Sequence, residues 1–260
     1  MTTQTAVAVN HRIDGPAEGP AVVLSNSLGT SPAMWDGQVP ALAGRLRVVR
    51  YDHRGHGGSP VPPGPYSVAD LGRDLLTLLD RLGLERVSLC GLSLGGMVSM
   101  WVASEAPDRI DRLALCCTSA LLGPRGMWAE RAALVREQGM DAVVDGAAER
   151  WFTPAFRAEH PERVEPVREQ LRATPPEGYA ACCEAIGGMD LRGRLGSISA
   201  PTLVIAADED PSTPPEHGRR IADAIPGARL EVIAGAAHLA NIGRPEEFNR
   251  ALLAHLGGGA

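Results

Sequence analysis

Seven residues constrain this chain more than any others: Cys90-Gly91-Leu92-Ser93-Leu94-Gly95-Gly96. Before them, Arg86-Val87-Ser88-Leu89 is short, apolar and β-branched, which predicts a buried strand. After them, Met97 to Ala103 suits a helix packed on that strand. Between the two sits G-x-S-x-G. A strand that turns this sharply into a helix puts the serine at the tip of the turn, in a strained conformation. Gly91 and Gly95 are required because side chains two residues either side of the serine would collide across the turn. The following amide, on Leu94, then lies at a helix N-terminus, where it can face a developing oxyanion.

The flanking chain predicts how this turn is framed. Thr5 to Ile13 reads as a first strand, and Asp14-Gly15-Pro16 to Gly19-Pro20 as a turn. Ala21 to Ser25 reads as a buried strand that feeds the polar loop Asn26-Ser27-Leu28-Gly29-Thr30. Arg47 to Tyr51 is the next strand, followed by Asp52 to Pro60, a loop dense in glycine. Asp70, Leu71, Leu75, Leu78, Leu79 and Leu82 follow helical spacing up to Gly83. Asp111 to Cys117 is a strand. The rhythm then breaks at Gly123-Pro124, and no strand signal appears until about Gly196. Strand-helix alternation resumes with strand 202–206, helix 214–225, strand 229–233 and a last helix near 246–256. Alternating β and α implies a mostly parallel sheet with helices on both faces. The predicted organisation is a core of residues 1–122 and 197–260, interrupted by a helical cap at 123–196. Ligands bind beyond the C-terminal strand ends of such sheets, and the insertion leaves from one of those ends, so it should roof the site.

Composition narrows the chemistry. A length of 260 residues suits one α/β core with an insertion. The net charge is −6, and no basic run occurs, so nucleic acid is not an expected partner. All 25 basic residues are arginine, which excludes a Schiff-base lysine and a phosphate-loop lysine. The five cysteines comprise two adjacent pairs, Cys116-Cys117 and Cys182-Cys183, plus Cys90. An odd count without C-x-x-C argues against a disulfide framework or a zinc site, and points to reduced thiols in a cytoplasmic protein. Neither an N-terminal signal-like segment nor an 18-residue apolar run is present, so no membrane association is expected.

Ser93 needs a base, and the base must lie on a loop at the same sheet edge. His238 fits, five residues beyond strand 229–233. His53 and His56 are spaced H-x-x-H without a third ligand in view, and are expected to shape one wall of the cleft. His11, His160, His217 and His255 read as surface residues. The acid that orients the histidine should follow strand 202–206, where Asp208 and Asp210 compete. The loop after strand 21–25 should supply a second oxyanion donor, by position the Leu28 amide, beside that of Leu94.

These residues together resemble the α/β-hydrolase superfamily over nearly the whole chain, and within it the 3-oxoadipate enol-lactonases. The narrower resemblance rests on Ser25 to Thr30 with Met34-Trp35-Asp36, and on Val49 to Asp52 with Arg54-Gly55-His56-Gly57. It continues through Cys90 to Met97, Arg150-Trp151-Phe152-Thr153-Pro154 and Pro176 to Ala180 before Cys182-Cys183. It ends with Asp210-Pro211 before Thr213-Pro214-Pro215, and Ala237 to Asn241. Many superfamily members carry His-Gly where this chain has Asn26-Ser27; the enol-lactonase subgroup resembles this chain instead. The family has glycine where this chain has Ala207, and Asp208 is an additional acid. The resemblance implies an eight-stranded, mostly parallel sheet and selects Asp210, giving the order Ser93, Asp210, His238. It also implies cofactor-free, metal-free hydrolysis of a small anionic lactone to 3-oxoadipate, in bacterial breakdown of protocatechuate and catechol. A buried substrate carboxylate requires a paired cation or strong donors. Arg131 and Arg150 are the candidates, with Trp128 and Trp151 as candidate walls. A capped carboxylesterase, a C–C bond hydrolase, a haloperoxidase-like enzyme and a non-catalytic protein on this fold are the competing readings.

Overall fold

The computed structural model describes residues 4–257; the remaining ends of the predicted core, 1–3 and 258–260, lie outside it. The strands are β1 (His11–Asp14), β2 (Ala21–Ser25), β3 (Arg47–Tyr51), β4 (Val87–Leu92), β5 (Ile110–Cys116), β6 (Thr202–Ala207) and β7 (Arg229–Ile233). They form one sheet in the order β1-β3-β2-β4-β5-β6-β7. β1 pairs antiparallel with β3, and every other neighbour is parallel. All residues of β2 and β6 are buried. Consecutive buried residues point to alternate faces, so both faces of the sheet are covered.

Seven strands form the sheet among the described residues, one fewer than the family resemblance implies. At the start of the chain the strand expected over Thr5 to Ile13 is shorter than its sequence predicts. Thr5 to Asn10 is not strand, because two of its N–H groups go to side chains instead of a neighbouring strand. Val7 N–H donates to Asp74 Oδ1 (2.7 Å) and Asn10 N–H to Ser59 Oγ (2.9 Å). Only His11–Asp14 reaches β3 in ladder register.

Eleven α-helices complete the described chain. In the core these are α1 (Val39–Leu42), α2 (Val68–Arg81) and α3 (Leu94–Glu105). Between β5 and β6 come α4 (Arg125–Gln138), α5 (Asp141–Trp151), α6 (Pro154–Glu159), α7 (Pro161–Arg172) and α8 (Pro176–Gly187). The core then resumes with α9 (Pro215–Ala224), α10 (Ala240–Gly243) and α11 (Pro245–Leu256). α2 starts where Ser67 and Asp70 form a reciprocal capping box, an arrangement worth about 1 kcal/mol. It buries Leu71, Leu75, Leu78 and Leu79, and Gly83 at φ +65° ends it. α3 is buried throughout residues 94–103, as a helix centred on the sheet must be. Helices α4 to α8 stand at the C-terminal end of β5, the edge where β4 ends at Ser93. Among the described residues, no helix is long and apolar enough to cross a membrane.

Candidate active site

The turn at Ser93 has the geometry its sequence predicts. Ser93 sits at φ 57°, ψ −116° between β4 and α3, a region costly for any residue with a side chain. Hydrogen bonds hold it there. Its N–H donates to Cys116 O (2.9 Å), and its carbonyl accepts from Thr118 Oγ1 (2.7 Å) and Met97 N–H (3.0 Å). A Cβ on Gly91 would lie 2.2 Å from Gly95 O, and one on Gly95 would lie 2.0 Å from Ser25 O. Both glycines are therefore steric necessities, as the motif requires. Leu94 opens α3, so its N–H is one of those a helix leaves unpaired.

β7 delivers His238 through Ala234 to Ala237, and the segment after β6 delivers Asp210. His238 Nδ1 donates to Asp210 Oδ2 at 2.8 Å, with both side chains buried. Asp210 also accepts from Ser212 N–H (2.8 Å), Thr213 N–H (3.1 Å) and Thr213 Oγ1 (2.7 Å). Burial alone would raise its carboxyl, but His238 and Thr213 together outweigh burial and hold it below the usual value. Asp208, the competing acid, is exposed and does different work. Its Oδ1 accepts from Gly235 N–H (2.8 Å) and Ala236 N–H (3.4 Å), which anchors the loop that carries His238. Ser93 and His238 line one cavity of about 410 Å³, together with Ser27 and Leu28.

The loop after β2 is fastened from behind. Asn26 Nδ2 donates to Tyr51 O (2.8 Å), and Trp35 Nε1 donates to Asn26 Oδ1 (2.9 Å). Leu28 N–H hydrogen-bonds to nothing among the described residues, and is free to meet a ligand. His53 and His56 are buried against this loop and do not line the cavity, contrary to the expectation that they form its wall. Burial first, then the neighbouring His56, depresses the His53 imidazole to about 3. Burial depresses His56 to about 4, against the opposing effects of Arg54 O and Asp52. Both rings are neutral at physiological pH. Arg54 points the other way and pairs with Asp74 at 2.5 Å, with both side chains buried.

Helices α4, α5 and α8 close the cavity. Trp128 and Trp151 line it while remaining buried, so each is both wall and packing. Trp128 Nε1 donates to Leu122 O (3.0 Å), and the Arg131 guanidinium lies 5.0 Å from the Trp128 ring centre. Arg131 and Arg150 both line the cavity, and among the described residues neither forms an ion pair with a carboxylate. Burial, and then the charge of Arg131, lowers the Arg150 pKa, so a bound anion would relieve both. Helices α5 and α7 are tied to the loops that border the cavity. His238 N–H and Leu239 N–H donate to Arg150 O (3.4 Å) and Trp151 O (3.0 Å), and Ser31 Oγ donates to Gln170 Oε1 (2.9 Å).

A family model for the alpha/beta hydrolase fold matches residues 20–245. The chain belongs to this family. Within the alpha/beta hydrolases, it is 41% identical to 3-oxoadipate enol-lactonase 2 of Acinetobacter baylyi over 250 residues, 96% of this chain and 93% of that one. The crystal structure of the enol-lactonase from Burkholderia xenovorans LB400 superposes with a TM-score of 0.94 at 42% identity, covering 96% of each chain. A putative carbamate hydrolase RutD of Variovorax paradoxus is 35% identical and covers 94% of both chains.

Three residues of this hydrolase fall outside the sequence expectations. His217, expected at the surface, lines the cavity and hydrogen-bonds Ser119 Oγ at 2.7 Å. His255, also expected at the surface, is buried with Nε2 donating to Leu113 O (3.0 Å). Its position on the apolar face of α11, near Ala251 and Leu252, is the signal that marks it as inward. Tyr179 is buried and lines the cavity; it stands in the Pro176-to-Ala180 string that carries the enol-lactonase resemblance. All five cysteines are buried free thiols. Among the described residues no three His, Cys, Asp or Glu side chains gather into a metal-binding group.

Proposed function

We propose that this chain opens 3-oxoadipate enol-lactone to 3-oxoadipate through a Ser93-His238-Asp210 triad, in the catabolism of aromatic compounds through that lactone. The observation that carries this reading is the presence, in the cavity that also holds Ser93 and His238, of two arginines that form no ion pair with a carboxylate among the described residues. A neutral ester has no use for them; a lactone bearing a carboxylate does. The enol-lactonase relatives support the same choice.

In this mechanism Ser93 Oγ attacks the lactone carbonyl carbon while His238 Nε2 takes its proton. Asp210 keeps the other imidazole proton on Nδ1 and stabilises the imidazolium. The carbonyl oxygen becomes an oxyanion held by the amides of Leu28 and Leu94; each such donor contributes about 3–4 kcal/mol to the barrier reduction. The ring C–O bond then breaks. The departing oxygen is that of an enol, a good leaving group, so the bond breaks with little acid assistance. The enolate oxygen then takes the proton from His238, which leaves the imidazole neutral for the next step. This oxygen stays attached to the acyl chain, and no product leaves at this stage. Water, deprotonated by His238, next attacks the acyl-serine ester, the proton returns to Ser93 Oγ, and the enol tautomerises to the ketone. No cofactor enters any step. In this reading residues 123–196 act as the cap, Trp128 and Trp151 flank the ring, and the enzyme works in the cytoplasm, which its free buried thiols support.

The clamp has a direct test. Charge-assisted hydrogen bonds are worth about 1.5–3 kcal/mol, so Arg131→Ala and Arg150→Ala should each raise KM for the lactone by about 10- to 100-fold. Turnover of a neutral short ester should change little. If both variants keep the wild-type KM for the lactone, the clamp is wrong. A wild-type enzyme that prefers neutral short esters would instead be a general carboxylesterase.

A further inference from the structure

The loop Asp52-His53-Arg54-Gly55-His56 has no part in the mechanism above, yet four of its side chains are spent in buried polar contacts. Asp52 and Arg54 turn away from the site, to Asn10 Nδ2 (2.8 Å) and to Asp74. His53 and His56 turn towards it and grip the two ends of one short segment. His53 Nε2–H donates to Asn26 O at 3.0 Å. Gly29 N–H donates to His56 Nε2 at 2.9 Å. Between these two anchor points lie Ser27 and Leu28; Leu28 lines the cavity, and its amide has no hydrogen-bond partner among the described residues.

The acceptor role of His56 dictates its protonation. Nε2 takes an N–H only through its lone pair, so the single ring proton must sit on Nδ1. Nδ1 lies 3.3 Å from Arg54 O, the acceptor such a proton needs. The loop on the other side allows no slack. Gly29 is at φ +74°, and a Cβ there would lie 2.3 Å from Leu171 Cδ1 of α7. Gly55 is equally close to the cap, where a Cβ would meet Gly178 Cα at 2.6 Å. The segment that holds Leu28 is thus pressed between cap helices and a pair of imidazoles.

We propose that His56, with His53 beside it, is a positioning residue of the oxyanion hole: its Nε2 lone pair takes the Gly29 N–H and so aims the neighbouring Leu28 N–H at the carbonyl oxygen of the substrate. This rests on the reading of Leu28 N–H as an oxyanion donor. His56 touches no substrate. It acts on the transition state alone, because an oxyanion donor matters most when charge has developed.

Two polar substitutions separate positioning from packing. The carbonyl of a glutamine reaches as far as Nε2, whereas that of an asparagine stops near Nδ1. His56→Asn should therefore lose the acceptor, and His56→Gln should restore it. The assay is kcat and KM with p-nitrophenyl acetate, a substrate open to any serine esterase, run beside the enol-lactone. Expected for His56→Asn is a kcat about 10- to 100-fold lower with KM within about threefold of wild type, part of the loss that removing a donor outright gives. His56→Gln should return kcat to within about threefold of wild type, by the same logic. A folded His56→Asn with wild-type kcat overturns the proposal. So does a loss confined to KM, or a glutamine variant as impaired as the asparagine one. If His56→Asn does not fold, imidazole ¹⁵N spectra of the wild-type protein decide: an unprotonated Nε2 at pH 7 is expected, and a protonated Nε2 overturns the proposal. A wild-type protein that hydrolyses p-nitrophenyl acetate but not the lactone would end the substrate reading and leave this test intact.

Discussion

Asp210→Asn should lower kcat by about 10⁴, the loss seen when the orienting acid of a serine triad is amidated. Asp208→Asn, two residues away, should leave kcat within a few-fold. The geometry separates the two acids. Asp210 accepts the His238 Nδ1 proton at 2.8 Å and is itself held by Ser212 and Thr213. An asparagine there presents an N–H to Nδ1 and favours the wrong tautomer, with the lone pair turned away from Ser93. Asp208 instead accepts two backbone N–H groups from the loop before His238, and an asparagine carbonyl accepts them too. Steady-state kinetics of the two variants beside wild type is the check. A larger loss from Asp208→Asn than from Asp210→Asn would contradict the triad as assigned.

The second large effect is on stability. From pH 7 to pH 5 the folded state should lose about 4 kcal/mol, most of it through His53 and His56. Burial depresses the two imidazoles to about 3 and about 4, against 6.5 in the unfolded chain. Between about pH 4 and 6.5 the unfolded state therefore binds protons that the folded state refuses, and stability rises with pH across that window. At pH 5 each group forgoes protonation by about 1.5 pH units, or about 2 kcal/mol. Burial also lowers His217 and His255, which act in the same direction. Asp210 is separate: its stabilising effect is complete above the ordinary carboxyl range and is lost only as the pH falls through its lowered folded value. Urea melts at pH 7, 6 and 5 measure the slope. A free energy of unfolding that is flat across these three points would mean that the two imidazoles take up protons without unfolding the chain.

The parts of this molecule that follow from short-range rules were legible in the chain itself. Ser93 is flanked by glycines at the two positions where any Cβ would strike backbone, and strand 87–92 runs into helix 94–105 without a spare residue. The break in alternation at Gly123 marks the inserted helices, since five helices follow without a strand. Long-range polar pairing was not legible. Asp208 and Asp210 look alike in sequence; only the path of the loop after β7 brings one to an imidazole and the other to an amide. Thr5 to Asn10 reads as strand, but the N–H groups of Val7 and Asn10 are claimed by Asp74 and Ser59, far along the chain. His53 and His56 read as a wall of the cleft but lie behind it, because their partners, Asn26 O and Gly29 N–H, are backbone atoms that carry no sequence signal. His217 reads as a surface residue because α9 is polar over most of its length, yet it lines the cavity.

The catalytic claim is tested most directly by adding purified protein to enzymatically generated 3-oxoadipate enol-lactone and following the loss of its ultraviolet absorbance, with Ser93→Ala as the blank. The account predicts saturable loss with 3-oxoadipate as the product, reduced in the Ser93→Ala protein to the spontaneous rate. A wild-type rate no faster than that blank, from a folded protein, would contradict it.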